Sequence, residues 1–430
     1  MNNRPLSLVP AVGALCLGSL LLGSCGDARR TVAPRTIAKA RAEFLEETIR
    51  ETIERPLAGP LTDSTEGAWE RAFWAMGLTR YRSETTDRGL ATALARFADR
   101  SVSFRRSLLE AVYGLNDDTY RPELWRVLGE TREPKIFAMA ALAVTRGTAG
   151  QSPEAVRALL HDRFPDWQSH PVLLMLDEDL AGAGAPVPAT PPLVDLFRHS
   201  LEESPVLFSL QRKDRRYEGR VILRGADGQF ARNADGSVFS VRQLALSAPG
   251  LPGYLTNGNT PEGIFSFQGF EETDNEFIGP TETIQLVLPY ETPPGVFLHE
   301  ATAGPWTVQM YAALLPSSWR SYIRIYEAYY AGAAGRTEII AHGTTINPVY
   351  YQGEPFYPNT PSLGCLTAGE TWSDFDGERL TSDQQLLVDA LRNNSFTDGY
   401  CVVVNLDDRR ERVSQEEVRA LVDAAERALR

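Results

Sequence analysis

The chain has 430 residues, 43% of them hydrophobic and 23% charged, which is typical of a globular protein and excludes a disordered chain. Its formal net charge is -13 with Lys and Arg scattered, so no basic footprint for nucleic acid is expected. The length exceeds that of one ordinary domain, and we expect two.

The first 24 residues have the composition of a bacterial export signal. Arg4 is the single early positive charge, and an apolar stretch follows from Leu6 to Leu22. Leu22-Gly23-Ser24-Cys25 resembles the lipobox of bacterial lipoproteins, in which the cysteine becomes lipidated. We therefore predict a signal peptide over 1–24, lipidation of Cys25 and a tether over 25–35. This would anchor the protein to a membrane of the cell envelope, and a plain signal peptide is the alternative.

Residues 36–199 are predicted to be helical. Apolar residues recur at helical spacing, first as Ile37, Ala40, Phe44, Leu45, Ile49 and Ile53. Proline marks the first turn of later helices, at Pro122, Pro134, Pro153 and Pro171. The series is similar to the stacked helical pairs of HEAT-type arrays, with a spacing too uneven to define a repeat. Such an array would serve as a spacer or as a docking surface for a protein partner.

A proline-rich stretch over 182–192 precedes a β-rich region. Short apolar runs bounded by Gly, Asp and Asn predict strands at 206–210, 219–223, 238–241 and 243–246. An amphipathic pattern predicts a helix over 414–429. The expected fold class is α+β multidomain, with an all-α domain over 36–199, a mainly-β domain over 200–408 and a C-terminal helix over 409–430.

His342-Gly343-Thr344 and, about twenty residues later, Ser362-Leu363-Gly364-Cys365 are the most informative motifs. A thiol is a nucleophile only as the thiolate, and an imidazole is the usual acceptor of its proton. Cys365 lies among Gly, Ser and Pro, which indicates a loop, whereas His342 follows an apolar run that predicts a strand. The pair predicts acyl transfer, with Cys365 as a nucleophile of lowered pKa and His342 as its base.

Glycine before the cysteine permits a sharp turn. The backbone amides of Gly364 and Cys365 would then point at the oxyanion of an acyl-transfer intermediate. A carbonyl near Gly343 or Ser362 is expected to orient the imidazole.

At these residues the chain resembles the L,D-transpeptidase (YkuD-type) catalytic domain, whose pattern is a His-Gly strand end followed by Ser/Thr-His-Gly-Cys. A second landmark of that family, Thr-Pro-x-Gly-x-Phe, is present as Thr260-Pro261-Glu262-Gly263-Ile264-Phe265. The resemblance covers about 205–408, roughly the second half of the chain. It departs from the pattern at Leu363, which replaces a histidine, and at Thr367, where an Arg or Asn usually follows the cysteine.

Other readings of these residues are weaker. Papain-like peptidases place Cys before His, and the sortase strand Thr-Leu-x-Thr-Cys is missing from the sequence. Five histidines without paired Cys-x-x-Cys spacing predict no metal site, and no cofactor is expected. Cys401, in an apolar run, and His299 are predicted to be structural.

Aromatic residues are concentrated near the motifs. Four of them lie in the loop between His342 and Cys365, namely Tyr350, Tyr351, Phe356 and Tyr357. Rings with polar tips suit a sugar-peptide polymer, so these four are predicted to form a lid over the cleft of Cys365. Thr344 and Thr367 complete the candidate substrate-binding residues.

The resemblance implies a peptidoglycan L,D-transpeptidase in the cell envelope. Cys365 would attack the carbonyl before the terminal D-amino acid of a stem peptide, and an amine of another stem would resolve the thioester. Two alternatives stay open. In the first, the chain is a peptidoglycan carboxypeptidase or amidase that uses the same Cys-His site and transfers the acyl group to water. In the second, the altered motif is not catalytic, and the chain is an envelope scaffold that binds a partner through its helical half.

Overall fold

The computed structural model describes residues 31–147, 150–183, 190–199, 201, 203–273, 275 and 277–428. The predicted signal peptide and Cys25 lie outside the described residues. From Val32 onward the chain forms one compact unit. Helices precede residue 199 and strands begin at Val206, so the mixed α+β class is confirmed.

The first part of this unit is built from helices. They are α1 (Ala38–Glu47), α2 (Arg55–Ala58), α3 (Glu66–Thr79), α4 (Glu84–Ala95), α5 (Val102–Leu115), α6 (Arg121–Glu130), α7 (Pro134–Thr145), α8 (Pro153–Arg163), α9 (Pro171–Ala181) and α10 (Leu193–Arg198). A π-helical segment, Thr48–Glu54, joins α1 to α2. Proline occupies the first turn of α6 to α9, as predicted. Within the described chain, every helix is too short or too polar to cross a membrane.

Among the described residues, the second part contains ten strands and five further α-helices. The strands are β1 (Val206–Gln211), β2 (Gly219–Arg224), β3 (Val241–Gln243), β4 (Gly263–Glu271), β5 (Thr283–Val287), β6 (Ile339–Gly343), β7 (Leu366–Ala368), β8 (Glu370–Trp372), β9 (Arg379–Ser382) and β10 (Gly399–Asn405). The helices are α11 (Pro294–Phe297), α12 (Val308–Ala313), α13 (Glu327–Ala333), α14 (Asp383–Asn393) and α15 (Gln415–Arg427). The last helix matches the one predicted over 414–429, and the two strands predicted over 238–246 are replaced by the three residues of β3.

Eight strands form one sheet in the order β3-β2-β1-β10-β4-β5-β6-β7, and β8 pairs with β9 separately. The pairs β1–β10 and β6–β7 are parallel, and the remaining pairs are antiparallel. Leu244, directly after β3, exchanges two hydrogen bonds of 2.8 Å with Thr367 of β7. The two edges of the sheet therefore meet, and the sheet is nearly closed.

Both faces of this sheet are buried. One face packs around Phe265, Ala341 and Leu366 and is covered by α14, and the other face packs around Phe208 and is covered by α15. Burial on both faces explains why the strands read as continuous apolar runs rather than as alternating patterns.

The hydrophobic core of the helices extends into the second part of the chain. Leu251, Tyr254 and Leu255 are buried in the same cluster as residues of α3, α5, α7 and α9. Residue 199 therefore marks a change of secondary structure within a shared core.

Candidate active site

Two parallel strands bring His342 and Cys365 to one cleft. Ala341 of β6 pairs with Leu366 of β7, and both side chains lie in the sheet core. Successive side chains alternate between the faces of a sheet, so the neighbouring positions, His342 and Cys365, point to the opposite face. There both residues line a cleft of about 730 Å³.

The imidazole of His342 is held by its own strand end. Its side chain is buried, and Nδ1 donates to the carbonyl oxygen of Gly343 at 2.5 Å. This bond assigns the proton to Nδ1 and leaves the lone pair of Nε2 for accepting a proton. Burial lowers the pKa of His342 to about 4, so the ring is neutral at neutral pH.

The thiol of Cys365 is half-buried and directed at the start of β6. Its Sγ lies 3.6 Å from the carbonyl oxygen of Glu338, to which the S–H donates. Burial raises the pKa of the thiol, against the smaller opposing effects of the Ile340 amide and the Arg336 guanidinium. The expectation of a lowered pKa is therefore wrong for this structure, because desolvation outweighs both stabilising groups.

The turn before Cys365 depends on Gly364. Gly364 has φ +112, a conformation that side chains disfavour, and a Cβ at this position would lie 1.9 Å from Nη2 of Arg336. Its N–H donates to Oγ of Ser362 at 3.0 Å, and that hydroxyl donates to the carbonyl oxygen of Cys365 at 2.8 Å. The amide of Gly364 is thus occupied in this structure and does not act as the expected oxyanion donor.

The Thr-Pro-x-Gly-x-Phe motif over 260–265 contacts the motif of Cys365 at this turn. Thr260 donates its hydroxyl to the carbonyl oxygen of Gly364 at 2.8 Å. Glu262 is buried, and its carboxylate accepts from the side-chain amide of Asn405 at 2.7 Å and from the backbone amide of the same residue at 3.2 Å. The landmark therefore supports the loop that carries the thiol.

Arg336 is a site residue that the sequence did not predict. Its side chain is 3% exposed, lines the cleft, and donates to the carbonyl oxygens of Gly253, Gly258 and Asn259. Within the described chain it has no carboxylate within ion-pair distance, and burial lowers its pKa to about 10. An arginine three residues before a strand has no local pattern that distinguishes it from a surface charge, so no sequence signal was available.

The two threonines predicted to bind substrate do not face the cleft. Thr344 is buried and donates to the carbonyl oxygen of Glu370 at 3.2 Å. Thr367 is fully buried and donates to the carbonyl oxygen of Thr360 at 2.6 Å. Because both hydroxyls donate to backbone carbonyl oxygens, the role of both threonines is structural.

The predicted aromatic lid is also displaced. Tyr351 and Phe356 pack with Leu244, with Tyr350 against them, and Tyr351 donates its hydroxyl to the carbonyl oxygen of Leu78 at 2.7 Å. Tyr357 is half-buried, and its carbonyl oxygen accepts from Arg412. None of the four rings lines the described walls of the Cys365 cleft, because their loop folds back onto α3.

The helical part supplies the opposing wall. Trp74 and Leu78 of α3 line the cleft together with Leu363, and the Trp74 ring meets the Phe277 ring edge-on at 4.6 Å. The helices thus build part of the site, a contribution beyond the spacer or docking role expected from the sequence.

The remaining candidates are structural. Cys401 is buried in β10, where burial raises its pKa to about 12. His299 satisfies its Nε2 with Ser266 at 2.9 Å and with the carbonyl oxygen of Gly399 at 3.0 Å. Both predictions are confirmed. Across the described ranges, His, Cys, Asp and Glu side chains form no group suited to a metal ion.

No protein-family model matches this chain, and no curated protein or solved structure is similar to it. A functional assignment consequently depends on the residues of the cleft.

Proposed function

We propose that this chain is a peptidoglycan L,D-transpeptidase that acts through a thioester on Cys365. The observation that carries the proposal is a shared cleft that holds a half-buried thiol, directly before β7, and a neutral, oriented imidazole in the adjacent parallel strand β6. A thiol and an imidazole so arranged suit acyl transfer. The meeting of the two motifs through Thr260 and Gly364 is a second support.

The charge states determine how the first step proceeds. Because thiol and imidazole are both neutral, proton transfer to Nε2 of His342 accompanies the attack of sulfur on the carbonyl carbon. The carbon–nitrogen bond then breaks, the imidazolium returns its proton to the leaving amine, and a thioester remains. An amine of a second stem attacks the thioester, and its proton passes to Nε2. The carbon–sulfur bond then breaks, and the imidazolium returns the proton to the sulfur, which regenerates the thiol.

Arg336 contributes positive charge beside the sulfur. A buried guanidinium with no carboxylate of the described residues within ion-pair distance favours negative charge on a neighbouring group. It therefore stabilises the sulfur as negative charge develops on it during attack. Lipidation at Cys25 and location in the cell envelope belong to the same proposal and rest on the sequence alone.

Intact-mass measurement with purified muropeptides tests the proposal. The unsubstituted protein should gain one acyl group, Cys365→Ala should gain none, and Cys401→Ala should behave as the unsubstituted protein. A cross-linked product indicates transfer to an amine, and a shortened stem indicates transfer to water. Equal loss of acylation in the two cysteine variants contradicts the assignment of the nucleophile.

A further inference from the structure

A second cavity of about 410 Å³ lies beside the cleft of Cys365. We name it the arginine lobe, after its lining residues Arg80, Arg82, Arg146 and Arg216. The two cavities share five lining residues, which are Trp74, Leu78, Asn257, Pro361 and Leu363. Leu363, two residues before the thiol, is therefore exposed to both. The two cavities therefore lie next to each other, with Leu363 in the wall of both.

The two cavities differ in charge. Among the described residues, the cleft of Cys365 is lined by the carboxylates of Glu271, Glu272, Glu291 and Glu338 and by one guanidinium, that of Arg336. The arginine lobe is lined by four guanidinium groups and by two carboxylates, Glu110 and Glu354. Burial raises the pKa of Glu110 to about 7, so this carboxyl group is only partly charged near neutral pH. The cleft therefore disfavours an anionic group more strongly than the arginine lobe does.

Three of the four arginines already have carboxylate partners. Arg80 pairs with Glu354 at 2.6 Å, Arg82 pairs with Asp117 at 2.7 Å and with Asp87 at 2.8 Å, and Arg216 pairs with Asp214 at 2.6 Å.

Arg146 differs from them. Its guanidinium carbon lies 4.2 Å from the centroid of the Tyr113 ring, and its Nη1 donates to the carbonyl oxygen of Tyr113 at 2.7 Å. No carboxylate of the described chain lies within ion-pair distance of it. Its remaining N–H groups can make charge-assisted hydrogen bonds to a ligand carboxylate.

Apolar side chains form much of the remaining wall, among them Met76, Leu115, Leu246 and Phe356. A carboxylate attached to a small aliphatic group matches this combination of one unpaired cation and apolar walls.

We propose that the arginine lobe binds the terminal D-amino acid of the acyl-donor stem, with its carboxylate at Arg146 and its side chain against Leu363. This rests on the proposed function and extends it, because it assigns substrate recognition to the helical half of the chain. Most of the lobe's wall from that half comes from α3 and α5, so the helices select the donor stem that then acylates Cys365.

Binding to the inactive Cys365→Ala protein tests the lobe separately from catalysis. A stem tetrapeptide with a free terminal carboxylate should bind at least about tenfold more tightly than the same peptide with a terminal amide, as expected for loss of one charge-assisted contact. Adding Arg146→Gln should remove this preference. Arg126→Gln, which changes an exposed arginine of α6 outside the lobe, should preserve it. Equal affinity for the two peptides, or a preference that survives Arg146→Gln, overturns the proposal.

A second pair of variants tests the lobe independently, in case Arg146→Gln does not fold. Ser107→Tyr places a ring in the lobe from α5 and should weaken binding of the free acid, whereas Ser103→Tyr, at an exposed position of the same helix, should not. Unchanged binding in Ser107→Tyr also overturns the proposal. If both peptides acylate the unsubstituted protein equally, the lobe proposal fails and the proposed function stands. If neither peptide acylates it or binds, both fail.

Discussion

His342 and Cys365 are both uncharged near neutral pH, and burial is the main cause at each residue. It lowers the pKa of the imidazole to about 4 and raises the pKa of the thiol. The free protein therefore holds a thiol and a base rather than a thiolate–imidazolium pair. Reactivity should therefore depend on a bound substrate, because proton transfer from the thiol to His342 then occurs together with formation of the carbon–sulfur bond.

The rate at which iodoacetamide alkylates Cys365 should reflect this. Only the thiolate reacts, so the rate should rise about tenfold per pH unit and still be rising at about pH 9. Labelling is followed by mass spectrometry, with Cys365→Ala giving the background from Cys401. A rate that levels off below about pH 8 contradicts the raised pKa and supports the lowered pKa that the sequence predicted.

The low pKa of His342 should also appear in stability. The unfolded chain binds a proton at His342 with a pKa near 6.5, whereas the folded protein does so only near 4, so stability should fall as pH decreases through this window. The contribution is about 3 kcal/mol. The measurement is urea unfolding at pH 4 to 7 for the unsubstituted protein and for His342→Gln. Buried Glu262, with a pKa raised to about 7, acts in the opposite direction, but it is present in both proteins and cancels in the difference. A difference that does not change with pH contradicts the prediction.

Arg336 offers a further test at the scale of one residue. Arg336→Met removes the charge beside the sulfur and leaves three carbonyl acceptors unpaired, so we expect a higher thiol pKa and a less stable protein. Arg336→Lys keeps the charge but loses the planar fork, so the thiol pKa should stay closer to its original value while stability still falls. The alkylation profile against pH separates the two effects. An identical profile in all three proteins means that Arg336 acts only on stability.

Among the elements, the turn that carries the thiol is the most constrained. Gly364→Ala requires a side chain at φ +112 and places Cβ against the Arg336 guanidinium, so it should cost more than the about 1–3 kcal/mol of backbone strain alone. Gly353 is the matched control, because it lies in the same loop with φ +92 and has nothing within 4 Å of an added Cβ. Urea unfolding measures both variants. Equal destabilisation would mean that the contact with Arg336 is unimportant.

Local signals predicted some elements and not others. The prolines of α6 to α9 and the caps of helices such as α15 act within one turn, so their positions can be read from the sequence. The pairing of β1 with β10 joins residues almost two hundred positions apart, and no local pattern specifies it. The loop of Tyr351 was misplaced for the same reason, since its hydroxyl binds a carbonyl of α3.

The residues of the candidate site also divide into those that the local sequence predicts and those that depend on distant contacts. The motifs identified the thiol and the imidazole because their residue types and order are informative by themselves. The positions of Arg336 and Trp74 in the cleft, and the role proposed for Arg146, depend on residues distant in the sequence. The pKa of Cys365 likewise depends on burial that only the folded chain creates.

At the scale of the whole molecule, the helices and the sheet are joined by a bridging loop over 251–260. Tyr254 donates to Asp179 at 2.8 Å and Asn257 donates to Glu110 at 2.8 Å, both on the helical side. The same loop accepts from Arg336 through three carbonyls and binds Gly364 through Thr260. The thiol is therefore linked to the helical core by a continuous series of hydrogen bonds.

This connection predicts that the chain from Val32 onward unfolds in one cooperative transition. Leu108→Ala is the test, because Leu108 is fully buried in α5 within the core that also holds Leu251 and Tyr254. The cavity should cost about 2–5 kcal/mol. If the core is shared, the urea midpoint for loss of helical circular dichroism and the midpoint for exposure of Cys365 to alkylation should decrease together. Leu386→Ala, at an exposed position of α14, is the control and should leave both midpoints nearly unchanged. A Leu108→Ala protein whose helices melt earlier while Cys365 stays protected would show that the two parts fold independently and that the helices do not support the site.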